Sequence, residues 1–122
     1  FIPNSMKTIL KIEEWAQFLA GIYFFAQLDV AWWWFLVLIL TPDIGMLGYL
    51  HNTKTGAITY NMLHHKGIAI AVVVIGYASA IPWLLLVGII LFSHAALDRA
   101  LGYGLKYSDD FKHTHLGNMG TN

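Results

Sequence analysis

Asp43, His64, His94 and Asp98 are far apart in the chain, yet together they carry the side chains from which divalent-metal sites are made. Imidazole nitrogens and carboxylate oxygens are the usual ligands of zinc, iron and manganese. Cysteine is absent, which removes thiolate ligands, disulfides and cysteine nucleophiles. His94 and Asp98 are spaced i, i+4, and Asn61 and His64 are spaced i, i+3, so each pair can share one helix face. Residue counts then relate the segments to one another. Glu14 lies 15 residues before Asp29 and Asp43 lies 14 after it; Asp43 lies 10 before Thr53 and His64 lies 11 after it; His64 lies 15 before Ser79 and His94 lies 15 after it. If the chain reverses at those three points, Glu14, Asp43, His64 and His94 fall in one layer. An error of two residues per turn displaces a side chain by about 3–6 Å, so the counts define a layer and not a coordination geometry.

An ion in that layer would lower the pKa of a bound water and polarise a carbonyl or phosphoryl oxygen. Glu14 is then the expected proton acceptor, with Arg99 or Lys106 at the rim holding an anionic headgroup. The leading expectation is a metal-dependent, hydrolytic membrane enzyme with Asp43, His64, His94 and Asp98 as ligands. Alternatives are a haem or pigment site with His64 or His94 as axial ligand, and an accessory subunit of a membrane complex or a proton-linked carrier. A structural plug is the last, with Lys66 and Arg99 neutralising Glu13, Glu14, Asp43 and Asp98 while Tyr60, Asn61 and backbone groups bond the histidines. His65 points about 100° away from His64, so only one of the two is expected to face the centre.

These side chains must be positioned by apolar elements. Of the 122 residues, 57% are apolar, 15% aromatic and only 11% charged, with mean hydropathy +0.59, against about 25% charged in soluble domains. Seven basic and seven acidic residues leave no net charge to attract nucleic acid. The run Gly67 to Ser93 contains no ionisable acid, base or histidine, and at about 1.5 Å per residue it overshoots a bilayer core of about 30 Å. Pro82 is the natural place to divide it. The expected fold is all-α: an integral membrane four-helix bundle with short loops and spans near 8–28, 31–50, 56–77 and 82–101. These make a domain over 1–107, followed by a polar tail over 108–122. Pro42, Gly45 and Gly48 suggest a local break and a close helix approach beside Asp43. Lys7, Lys11, Lys54, Arg99, Lys106 and Lys112 fall on one side of this arrangement, which puts both termini in the cytoplasm and the chain in the cytoplasmic membrane. Lys66 lies inside a span and must find an acid or snorkel. Expected partners are the bilayer, a lipid-like substrate, and further copies or subunits of a membrane complex.

The segments Thr41-Pro42-Asp43-Ile44-Gly45-Met46-Leu47-Gly48-Tyr49-Leu50 and Gly56-Ala57-Ile58-Thr59-Tyr60-Asn61-Met62-Leu63-His64, the long motif from His94 to Tyr107, and Thr114-His115-Leu116-Gly117 strongly resemble a small bacterial membrane-protein family, domain of unknown function 4260. The resemblance covers nearly the whole chain. It implies a compact helical membrane protein with marked positions at Asp43, Tyr60, Asn61, His64, His94, Asp98, Arg99, Lys106 and His115. It implies no particular reaction.

Overall fold

The computed structural model describes residues 3–106 and 113–118. Five α-helices run in order: α1 (Asn4–Ala26), α2 (Trp33–Leu38), α3 (Thr53–His64), α4 (Lys66–Ala78) and α5 (Pro82–Ala100). A 3-10 segment, Thr41–Leu50, lies between α2 and α3, and a two-stranded hairpin, β1 (His113–Thr114) with β2 (Gly117–Asn118), follows α5. The chain is thus nearly all helical. The expected tail over 108–122 lies mostly outside the described residues, apart from this hairpin.

The helix starts follow local chemistry. Asn52 caps α3 by accepting the Thr55 N–H at 2.7 Å, and Pro82 opens α5, where its missing N–H costs nothing. His65 caps α4 through Nδ1, which accepts the Ile68 N–H at 3.2 Å. The span expected over 56–77 is therefore two helices, bent by 48° at the His64–His65 junction. An extended backbone at His65 (ψ 118°) ends one helix and lets its side chain start the next.

The 3-10 segment also departs from a plain α-helical span. Pro42, Gly45 and Gly48 recur every three residues, which is one turn of a 3-10 helix, so all three face the same way. On that face a Cβ on Gly45 would sit 2.8 Å from the Thr59 carbonyl oxygen, and one on Gly48 would sit 2.9 Å from that of Thr55. The segment accordingly lies backbone to backbone on α3, as the glycines led us to expect, and Thr59 Oγ1 donates to the Gly45 carbonyl.

α5 is the central element. Phe25, Phe35, Ile39, Ile89 and Ile90 form the buried apolar core around it, and glycines set its approach to α4. A Cβ on Gly76 would meet the Leu85 nitrogen at 2.5 Å, and one on Gly88 would meet the Val73 nitrogen at 2.7 Å. Small residues at helix crossings are how helices pack where lipid supplies no hydrophobic drive. Among the described residues, Trp33–Leu50 and Pro82–Ala100 are long and apolar enough to cross a membrane, and α3 and α4 taken together as one bent element are as well. The span expected over 8–28 is not of this kind. α1 is 23 residues long, but Lys7, Lys11, Glu13 and Glu14 occupy its first half.

Candidate metal centre

Three elements converge on one point. Asp43 comes from the first turn of the 3-10 segment, His64 is the last residue of α3, and His94 and Asp98 stand one turn apart on α5. His64 Nε2 lies 3.2 Å from Asp43 Oδ1 and 3.3 Å from Asp98 Oδ2. His94 Nε2 lies 3.0 Å and 3.3 Å from the same two oxygens. No two of the four ligand atoms are more than 4.8 Å apart. The imidazoles are buried at 3% and 1% exposure, Asp98 is 15% exposed, and Asp43 at 36% forms the open side. Glu14, expected in the same layer, stands outside this quartet.

The backbone dictates which imidazole nitrogens face inward. Ile39 would pass its carbonyl to the N–H of residue 42 or 43 in a continuing helix, but Pro42 has no N–H, and the Asp43 N–H goes to Leu40. The orphaned Ile39 carbonyl is taken by His94 Nδ1. His64 Nδ1 bonds the Tyr60 carbonyl at 2.8 Å, near the end of α3. A carbonyl only accepts, so both Nδ1 atoms carry their proton and both Nε2 atoms are left to the carboxylates. An outer partner fixing the tautomer in this way is the usual support of a metal-ligating histidine.

A third layer holds the ligands from behind. The Tyr60 ring stacks on His64 with centroids 3.8 Å apart and planes 9° apart, and its hydroxyl donates to Asp98 Oδ2 at 3.1 Å. Arg99 donates to the His64 carbonyl at 3.3 Å, capping the end of α3. Asn61 does not bond the histidines. Its amide accepts the Lys106 N–H at 2.6 Å and donates to the Lys106 carbonyl at 2.7 Å, holding the chain that leaves α5. His115 holds the neighbouring residue: its N–H donates to the Leu105 carbonyl at 2.9 Å, and its Nδ1 accepts the Leu105 N–H at 2.8 Å. Desolvation and the charge of Arg99 push the His115 imidazole below its ordinary pKa, so this pairing contributes fully above the ordinary imidazole range and weakens as the pH falls below it.

Lys66 finds its acid in Glu14, with Gln17 as a second acceptor, and this polar cluster ties α1 to the start of α4. Gln17 and the Ile39 carbonyl escaped the sequence reading; Pro42 was the available signal for the second. Each inward Nε2 has two carboxylate oxygens within 3.3 Å, so the four side chains are close enough together to hold a metal ion.

The profile of the family described as Domain of unknown function (DUF4260) matches residues 7–119. The chain belongs to this family. The matched range contains the whole Asp/His quartet and every residue described above as supporting it. No curated protein and no solved structure matches the chain.

Proposed function

We propose that the protein is an enzyme of the cytoplasmic membrane in which Asp43, His64, His94 and Asp98 bind one divalent transition-metal ion for hydrolysis of a membrane-dissolved substrate. One observation carries the metal reading: each Nε2 faces the same two carboxylate oxygens at nearly equal distances. An N–H proton points in one direction and serves one oxygen well. A cation at the centre serves all four contacts at once. Adjacent ligands about 2.0–2.1 Å from an ion are separated by about 3 Å, close to the four N···O distances here, and the widest pair, up to 4.8 Å apart, would draw in on such an ion.

Such an ion supplies a nucleophilic water and polarises the scissile carbonyl or phosphoryl group. Asp43, the most exposed ligand, marks the side from which water and substrate reach the centre. Its second carboxylate oxygen is assigned as proton acceptor in preference to Glu14, whose carboxylate is committed to Lys66. Arg99 positions His64 through its carbonyl. Basic residues at Lys7, Lys11, Lys54 and Lys112 support cytoplasmic termini and a cytoplasmic central loop.

The test compares hydrolysis of ester and phosphoester lipids in mixed micelles with hydrolysis of water-soluble short-chain analogues. Turnover of a micellar substrate that chelation abolishes, that zinc, iron or manganese restores, and that Asp43→Ala lowers by about a hundredfold or more is the expected result. Metal-loaded protein inert toward both lipid classes would overturn the hydrolytic reading.

A further inference from the structure

Lys106 lies beyond the last helix, yet it is only 4% exposed. After α5 the chain turns at Gly102, whose φ of +96° suits glycine, with the Tyr103 N–H returning to the Asp98 carbonyl at 2.7 Å. It then runs back past α3. Asn61 fixes both backbone groups of Lys106, His115 fixes both backbone groups of Leu105, and Lys106 bridges to Thr114, which is buried. This threefold anchoring puts the Lys106 ammonium 4.4 Å from the centroid of the Tyr60 ring.

Tyr60 touches two of the four candidate ligands by different chemistry. Its ring stacks on the His64 imidazole, and its hydroxyl donates to the Asp98 oxygen that faces both histidines. A cation over a phenol ring is attracted to its face and draws electron density from it, which makes the hydroxyl a better hydrogen-bond donor. We infer that Lys106 is a positioning residue of the metal centre, acting through the Tyr60 hydroxyl: its charge over the ring strengthens the hydroxyl's hold on Asp98. This inference rests on the metal reading proposed above. It extends that reading by assigning Lys106 to tuning the centre rather than to holding an anionic headgroup at the rim. Hydrogen-bond partners of metal ligands typically alter affinity by about 10–100-fold when removed.

The experiment is a double-mutant cycle on cobalt(II) affinity, measured in detergent on the full chain with Lys106→Met, Tyr60→Phe, the double variant and Lys106→Arg. Lys106→Met and Tyr60→Phe should each weaken cobalt binding by about tenfold, and the double variant should bind within about twofold of Tyr60→Phe alone. Lys106→Arg, which keeps a cation over the ring, should bind like the unsubstituted protein. The visible ligand-field bands of the cobalt-loaded protein should move in both single variants, and the Lys106→Met change should disappear in the Tyr60→Phe background. Multiplying effects, about a hundredfold in the double variant, would overturn the inference while leaving the metal centre standing. So would a lowered melting temperature with cobalt affinity and bands unchanged. Unsubstituted protein that binds no cobalt would overturn both readings, and because that protein is measured first, the two failures are distinguishable.

Discussion

Replacing His94 by alanine is expected to remove the bound metal. His94 supplies one of four ligands, and it is also the partner of the Ile39 carbonyl that Pro42 leaves without a donor. The substitution therefore takes away a ligand and leaves a buried carbonyl unsatisfied. Affinity should fall by far more than the 10–100-fold typical of an outer partner, so the purified variant should carry well under one equivalent of metal. His51 is exposed in the loop before α3 and touches none of the quartet, so His51→Ala should retain a full equivalent. Elemental analysis of both variants checks this, and equal metal in the two would place the ion elsewhere.

Lys66→Met should be the most destabilising single change away from the quartet. Its ammonium, 15% exposed, is held by the Glu14 carboxylate, 17% exposed, and by Gln17. Removing it strands a largely buried carboxylate, which costs on the order of 3–5 kcal/mol. Neutralising the stranded partner should recover most of that loss, so Lys66→Met with Glu14→Gln should be much more stable than Lys66→Met alone. Thermal unfolding in detergent measures the stability, and metal content per folded chain should stay unchanged throughout. Loss of metal in Lys66→Met, with folding intact, would mean that the Glu14–Lys66 pair belongs to the centre and not to the scaffold.

The contrast between these two clusters shows what the sequence carries. Counting residues from each turn brought Asp43, His64 and His94 to one level, and helical spacing added Asp98. All four meet because α5 is a regular helix and the turns at Asp29 and Ser79 are short. The same counting put Glu14 in the layer but could not choose between two neighbours at similar depth, and Lys66 claims it. Hydropathy and period carried the third span straight through His64 and His65, although Gly67, where a Cβ would sit 2.7 Å from His65 Cε1, stands just past the break. The adjacent histidines were a further mark: one faces the centre, and the other ends a helix by capping the next. The winding of Thr41–Leu50 was written in the three-residue recurrence of Pro42, Gly45 and Gly48, a period that a search for 3.6-residue repeats passes over. Least legible were the contacts of Lys106 and His115, because they run from side chains to backbone in irregular chain, where spacing predicts nothing.

The central claim is that Asp43, His64, His94 and Asp98 jointly hold one metal ion, and X-ray absorption on purified protein tests it most directly. The protein would be prepared without chelators, with zinc, iron and manganese supplied, and its metal content determined on the same sample. The account predicts one equivalent per chain, with a first shell of two imidazole nitrogens and carboxylate oxygens at about 2.0–2.2 Å. Well under one equivalent of any transition metal, or a first shell without imidazole, would contradict it and leave the quartet as a charge-balanced plug between the helices.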